Sequence, residues 1–391
     1  MNVYEKALVL HEELAGKIDI CPTCELKSKE DLALAYSPGV AEPCRRIHAN
    51  KHDAYKYTWK GNIVAVVSDG TAVLGLGDIG PEAGLPVMEG KAVLFKQFGG
   101  VNAIPIMLDT KDPDEIVNIV KKIAPTFGGI NLEDISAPRC VEIERRLKEE
   151  LDIPVFHDDQ HGTAIVTIAG LINALKLVNK KPEDCKVVIS GAGAAGSSII
   201  KMMVDFGIKE IYAFNSKGVL NRKHNEKYNF LTKEIAEITN PKQIDCTLRE
   251  AMQGADIFLG VSMPGLVDED MVRSMNHDAI VFAMANPDPE IPYENAKAAG
   301  ARIVGTGRSD YPNQVNNVLA FPGLFKGALS VRASKITEEM KMAAAVGIAK
   351  IAEEDGLSDD YVIPSAFNPR VADIVSAEVA KKAIEQGLNR I

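Results

Sequence analysis

At 391 residues the chain is too long for one ordinary hydrophobic core, so two domains are expected. Its content, 46% hydrophobic and 25% charged, is that of a globular protein in water, and a net charge of −10 without a basic run argues against nucleic acid or an anionic membrane surface as partner. There is no run of 18 apolar residues, and the opening MNVYEKALVLHEEL is charged where a signal peptide needs an apolar core, which points to a cytoplasmic protein with no membrane attachment.

Residues 1–30 read as a helix carrying Ala7, Leu8, Leu10 and Leu14, then a polar connector. Cys21-Pro-Thr-Cys24 within that connector has the spacing of a zinc or redox pair. With no second pair or matching histidines it reads as loop thiols, and the 6 cysteines of the chain make no disulfide framework. Over 34–43 two prolines and a glycine impose a turn, with Tyr36 just before a rigid corner. Alone, such a tyrosine is more often a packed ring than a proton donor.

Residues 62–68, NIVAVVS, form an unbroken β-branched run, the pattern of a strand buried on both faces. The glycine-rich loop LGLGDIGP at 74–81 is not helical in pattern, and a helix is expected from near Pro86. That helix carries Lys91 on an otherwise apolar turn, where burial would bring an ammonium towards neutrality, whereas Lys96 is expected to reach solvent. Strands at 103–108 and 129–132, with helices at 113–123 and 138–151, continue a β-α-β-α-β pattern and hence a parallel sheet.

Two acidic pairs stand at the ends of short apolar runs. Glu133-Asp134 follows 129–132, and Asp158-Asp159 follows 153–156 and precedes a helix at 163–178. Carboxylates meeting at strand ends make a hard-oxygen site suited to Mg²⁺ or Mn²⁺. A single acidic pair is more simply a solvated loop or a helix cap, and only the rest of the chain tips the balance.

A strand at 185–190 leads straight into Gly191-Ala192-Gly193-Ala194-Ala195-Gly196 and a helix to 206. In that frame the first glycine allows the tight turn, the second lets backbone approach a pyrophosphate, and the third admits close helix packing, so a dinucleotide is expected. The next strand, 210–214, ends at Asn215, where a carboxylate usually grips the adenosine ribose; without that acid both NAD and NADP stay open. Strands at 255–260, 279–284 and 302–305 complete a doubly wound domain. Asn286 and Asn317 lie in loops following its apolar runs, at the ligand side of such sheets, although most loop asparagines only form turns. From 337 onward the chain reads as helical with one break near Pro364.

These blocks taken together resemble the malic enzyme family, in its small bacterial form, over most of the chain. The shared motifs are AYSPGVAEPC (35–44), VLGLGDIGP (73–81), EGKAVLFK (89–96), NLED (131–134), FHDDQHGTA (156–164), GAGAAG (191–196), ANPDPE (285–290) and NNVLAFPG (316–323). The resemblance implies an α/β fold of two domains, a malic-enzyme-type substrate and metal domain over 1–160 and a Rossmann-type NAD(P)-binding domain with C-terminal helices over 161–391. It also implies oxidative decarboxylation of L-malate to pyruvate and CO₂ with NAD or NADP and Mg²⁺ or Mn²⁺, in a homodimer. Carried over position by position, it makes Glu133, Asp134 and Asp159 metal ligands and Asp158 the carboxylate that orients them. Lys91 becomes the general base and Tyr36 the general acid, both touching substrate. Asn286 and Asn317 contact substrate, and Asn286 and Asn215 join the glycine loop at the cofactor.

The chemistry of malate suits these roles. Its C2 hydroxyl must lose a proton as hydride leaves C2, and the C4 carboxylate then departs as CO₂, leaving an enolate to be protonated at C3. In the larger enzymes an arginine just before the LGLGD segment clamps a malate carboxylate; here Ala72 stands there, so the cation for the C4 carboxylate is open. A malolactic-type enzyme giving lactate would use the same residues. Amino-acid-dehydrogenase-like or tetrahydrofolate-dehydrogenase-like enzymes would not need the acidic pairs, and a non-catalytic nucleotide sensor would not need Lys91 and Tyr36.

Overall fold

The computed structural model describes residues 2–391, the side chain of Leu74 aside. Two sheets organise it. The first contains β1 (Ile63–Ser68), β2 (Asn102–Met107), β3 (Gly129–Leu132) and β4 (Val155–His157), all parallel, in the order β2-β1-β3-β4. The β-branched strand β1 is internal and buried along its whole length, as its composition requires. β2 forms a half-buried margin, and it is there that Pro105, which has no N–H to give a ladder, is accommodated.

The second sheet contains β5 (Lys186–Ser190), β6 (Glu210–Asn215), β7 (Gly218–Val219), β8 (Ile257–Gly260), β9 (Ile280–Ala283) and β10 (Ile303–Thr306). Its order is β10-β9-β8-β5-β6-β7, parallel but for β7. Chain direction across the sheet reverses at β5, between β8 and β6, so a ligand crevice opens beyond the carboxyl end of β5, where the glycine loop begins. The short antiparallel β7 has no counterpart in the sequence pattern; the chain doubles back through Ser216 and Lys217, and Gly218 takes the φ of 117° that the return needs.

Two helices start earlier than the sequence suggests. Pro81–Gly99 begins at the glycine-rich loop rather than near Pro86, because Pro81 at its first position has no N–H to lose. Pro86 then lies inside the helix, which persists because Met88, Lys91, Ala92 and Phe95 are buried. The second helix, Asp158–Val178, includes the acidic pair in its first turn, so these carboxylates open a helix rather than end a strand. His157 caps it, its Nδ1 accepting from Gln160 N at 3.3 Å, and acids in that turn suit the positive end of the helix dipole. This helix of 21 residues is long and apolar enough to cross a membrane, but most of it is buried in the protein, and it is a core helix.

One apolar cluster joins both sheets: Val64, Val66 and Phe95 pack in it with Phe156, Ile165, Ile189 and Leu324. The Phe95 ring lies 4.7 Å from that of Phe321 and 5.4 Å from that of Phe325, which docks the helix Phe321–Ser330 on Pro81–Gly99. Burying a side chain of that size stabilises by about 3 kcal/mol. Helices Glu338–Asp355 and Val371–Glu385, separated around Pro364, complete this layer. The N-terminal helices Val3–Leu14 and Lys29–Ala35 bury no residue, and all six cysteines, including exposed Cys21 and Cys24, are free.

Candidate active site

Four segments converge at the carboxyl end of the first sheet. The end of β3 supplies Glu133 and Asp134, the helix Pro81–Gly99 supplies Lys91, the start of Asp158–Val178 supplies Asp158 and Asp159, and the short 3-10 turn Asn317–Leu319 before Phe321–Ser330 supplies Asn317. Lys91 is 7% exposed; its Nζ lies 2.7 Å from Asp158 Oδ2 and 2.9 Å from Glu133 Oε1, over the face of Phe321 at 4.3 Å. Asn317 Nδ2 donates to Asp158 Oδ2 at 2.5 Å, and Asn131 Nδ2 donates to Glu133 Oε2 at 2.8 Å. Asp134 takes the left-handed conformation (φ 52°), which aspartate tolerates, and its amide donates to Asp159 Oδ2 at 2.7 Å.

Glu133, Asp134 and Asp159 each offer an oxygen within 4.8 Å of the others. Burial first, then the neighbouring carboxylates, push Asp134 up to about 9. Burial likewise pushes Glu133 up to about 7 and Asp159 to about 6, with Lys91 opposing in both cases. Asp134 Oδ2 is buried with no hydrogen-bond partner. Three all-oxygen donors, short of counter-charge and with one atom unsatisfied, fit a hard divalent cation. Asp158 also rises, to about 7, through burial and Glu133, with Lys91 opposing. Lys91 does not show the lowered pKa that its apolar turn suggested. Burial does lower it, but Asp158 and Glu133 beside it outweigh burial and keep the ammonium charged.

A cavity of about 570 Å³ opens in front of this group, lined by Lys91, Glu133, Asp134, Asp159 and Asn317. Its wall also includes His11 and Lys17, which no motif singled out. Asp158 stands behind, fully buried, and is not part of the lining. Tyr36 is not brought to the cavity within one chain; it ends the helix Lys29–Ala35 and is 69% exposed. Asn286 is exposed and also outside the lining; its carbonyl oxygen would meet a Cβ at Gly75 at 3.2 Å, and its Nδ2 one at Gly307 at 2.8 Å.

The glycine loop has the geometry its spacing suggests. Gly191 has φ 106°, and a Cβ there would meet Val261 O at 2.5 Å, while one on Gly196 would lie 1.7 Å from Gly191 O. A Cβ on Gly193 would meet nothing within 4 Å, so this side of the backbone is open to a ligand. Ala192, Ala194 and Ala195 carry the loop into the helix Ala194–Asp205. Asn215 closes β6, its Oδ1 accepting from Lys217 N at 2.8 Å in the turn to β7.

Behind the acidic helix runs a buried polar chain that sequence reasoning missed. Glu144 Oε2 lies 2.9 Å from His161 Nε2, and the other ring nitrogen of His161 is 3.0 Å from both Ser198 Oγ and Lys341 Nζ. Glu144 also receives His157 N at 3.1 Å and Lys148 Nζ at 2.8 Å, and Lys341 reaches Glu338 at 2.6 Å. These contacts tie the start of the acidic helix to the helix after the glycine loop. The FHDDQHGTA block contained His161, but nothing in the sequence pairs it with Lys341.

Comparison with known proteins identifies the family. Residues 15–148 match the family model described as malic enzyme, N-terminal domain, and residues 160–386 match malic enzyme, NAD binding domain. The chain is 58% identical to a bifunctional malic/malolactic enzyme of Bacillus subtilis, covering 100% of this chain and 95% of that protein. It is 54% identical to an NAD-dependent malic enzyme of Geobacillus stearothermophilus, over 100% of this chain and 81% of that one. An NADP-dependent malic enzyme of Escherichia coli matches at 46% over 98% of this chain but only 53% of its own, about twice as long. Among solved structures, malic enzyme from Pyrococcus horikoshii superposes with a TM-score of 0.94 at 49% identity, over 100% of this chain and 92% of the other. With both halves of the chain matched and relatives of this identity along its whole length, the chain belongs to the malic enzyme family.

Proposed function

We propose that this chain catalyses the oxidative decarboxylation of L-malate to pyruvate and CO₂ with reduction of NAD⁺ or NADP⁺, acting in the cytoplasm as a homodimer. The observation that carries the proposal is the placement of the Lys91 amine, in contact with Glu133 and Asp158, in one cavity with Asp134 and Asp159. An amine beside a cation-binding cluster suits a 2-hydroxy acid, whose hydroxyl must lose a proton as its carbon loses hydride. Held by Glu133, Asp134 and Asp159, Mg²⁺ or Mn²⁺ would supply the Lewis acidity that decarboxylation needs, and NAD⁺ or NADP⁺ on the glycine loop would take up the hydride.

The chain's own groups divide the remaining work. Lys91 takes the C2 hydroxyl proton, which needs its neutral form; Asp158 first and Glu133 second hold the amine charged, and engaging Glu133 within the cluster weakens the second of these, which eases the loss of a proton. Asp158, bonded to both Lys91 and Asn317, aims the amine. Asn317 and Asn286 orient substrate and nicotinamide, and Asn215 meets the adenosine ribose. Tyr36 protonates C3. Because it lies off the cavity of its own chain, and because Tyr4, Leu8 and Leu34 of the N-terminal helices are exposed, a second copy covers these helices and receives Tyr36. The working units are residues 1–160 and 161–391, meeting in the first turn of the acidic helix.

The relative named as a bifunctional malic/malolactic enzyme favours a second outcome, in which pyruvate is reduced to lactate before release. Incubation with L-malate, Mn²⁺ and each cofactor in turn, following reduced-cofactor absorbance and assaying pyruvate and lactate, tests both. Accumulating reduced cofactor with pyruvate supports the first; lactate without reduced cofactor supports the second; neither product sinks the proposal.

A further inference from the structure

Malate is a dianion, and the residues assigned so far provide for one of its ends. Its C2 hydroxyl and C1 carboxylate belong at Lys91 and the cation-binding cluster. The C4 carboxylate needs a positive group elsewhere, since every other charged member of the cluster is an acid and Ala72 offers no charge.

The same cavity has a second cation in its wall. Lys17, from the segment after the first helix, lines it together with His11. The main-chain N–H of Lys17 donates to Glu89 Oε2 at 3.0 Å, which fixes the residue to the helix that carries Lys91. Its Nζ donates to Pro86 O at 2.5 Å and lies 2.9 Å from His11 Nε2. His11 Nδ1 is 2.7 Å from Ala7 O, so the ring proton sits on Nδ1 and Nε2 accepts from the ammonium. A Cβ on Gly90 would be 3.5 Å from Lys17 Nζ, so the ammonium lies beside the residue that precedes Lys91. Neither of its hydrogen-bond partners is a carboxylate, and an ammonium has three N–H groups, so one donor is left for a ligand; Glu89, which accepts from the Lys17 main chain, acts on the charge only at longer range.

We infer that Lys17 binds the distal carboxylate of the substrate, with His11 as the positioning residue that aims its ammonium. This rests on the malate reading above. A lysine suits that role because it gives one point contact to a group that must shed its charge and leave as CO₂, where a two-pronged guanidinium would hold it more firmly. The pair also makes the site selective for diacids, because a 2-hydroxy monoacid leaves the ammonium without a partner.

The test compares wild type with Lys17→Met and Lys17→Arg, using Mn²⁺ and cofactor at saturation. Malate turnover is read beside competitive inhibition by oxalate, which can occupy the cluster but has no distal carboxylate. Lys17→Met is expected to raise KM for malate about 10- to 100-fold, the loss of one hydrogen-bonded charge, while the oxalate Ki stays within about twofold. Lys17→Arg should recover most of the loss, and His11→Gln should raise KM only several-fold. An unchanged malate KM in Lys17→Met overturns the assignment, and so does an equal weakening of malate and oxalate. Wild-type protein that turns over no malate would instead refute the reading on which the inference rests, so the two failures are distinguishable.

Discussion

Asp158 and Gly162 face each other one helical turn apart so closely that a Cβ on Gly162 would lie 2.0 Å from Asp158 Oδ1 and 2.8 Å from Asn317 Cβ. Only glycine admits the carboxylate that bonds Lys91 and Asn317. Gly162→Ala, normally a gain of about 1 kcal/mol inside a helix, is therefore expected to displace Asp158 and lower kcat on the order of 100-fold. In an Asp158→Ala background the same change should cost little further activity, since the two act on one contact. Additive losses would show that Gly162 matters for another reason.

Lys91→Ala is expected to abolish malate oxidation yet leave cofactor affinity within about threefold, because the glycine loop belongs to the other sheet. Titrating the variant with reduced cofactor by fluorescence, beside its turnover, checks both halves. Near-wild-type turnover would remove Lys91 as the base.

The cluster carboxylates also set a pH dependence. Burial and mutual repulsion raise Asp134 to about 9, Glu133 to about 7 and Asp159 to about 6. Carboxyls raised in the fold add stability below their unfolded pKa near 4, and that stability is lost as pH rises through the folded values. A divalent cation competes with those protons, so the rise in Tm caused by Mn²⁺ should be small at about pH 5.5 and several degrees larger at about pH 8. Asp159→Ala should remove most of the increment. Equal increments at both pH values would count against the ligand set.

If a second copy supplies Tyr36, two inactive variants repair each other. Dimers re-formed from an equal mixture of Tyr36→Phe and Lys91→Ala would hold one intact site in each mixed dimer, about a quarter of the wild-type total. No recovery, with exchange verified by a mass-tagged subunit, would mean that each chain completes its own site.

Glu144 and Lys341 are both buried and belong to one chain of contacts, but their removal should differ. Glu144→Ala leaves His161, Lys148 and the amide of His157 without their shared acceptor, and should cost on the order of 3 kcal/mol in urea unfolding. Lys341→Met removes a fully buried cation that burial already drives down to about 8 and should stay within about 1 kcal/mol of wild type. The reverse order would show that Lys341, not Glu144, anchors the group.

Much of this site was legible because its members sit at ends of strongly patterned elements. The run at β1, the acidic pair after β3 and the framed glycine loop each announce a strand end, and strand ends in parallel sheets converge. What escaped depended on partners distant in the chain. The apolar turn around Lys91 announces burial but not the two carboxylates beside it, so the expected direction of its pKa was reversed. Lys341 follows two glutamates in EEMKM and reads as solvated; it is buried because it meets His161, 180 positions away. Lys17 lies in a polar connector and lines the cavity only because Glu89 and Pro86, about 70 positions on, hold it there. The early starts of the helices at Pro81 and Asp158 reflect capping geometry that periodicity does not register.

Pro105 has a consequence beyond its own strand. It stands on the outermost strand of the first sheet, where a stranger chain in extended form would otherwise find an uninterrupted row of donors to zip onto. The opposite margin, β4, spans three residues, and β7 at one rim of the second sheet spans two. Those borders offer too short or too broken a template for fibril-like growth, so crowding at high expression should drive this protein to associate through its helical surfaces and stop at a finite size.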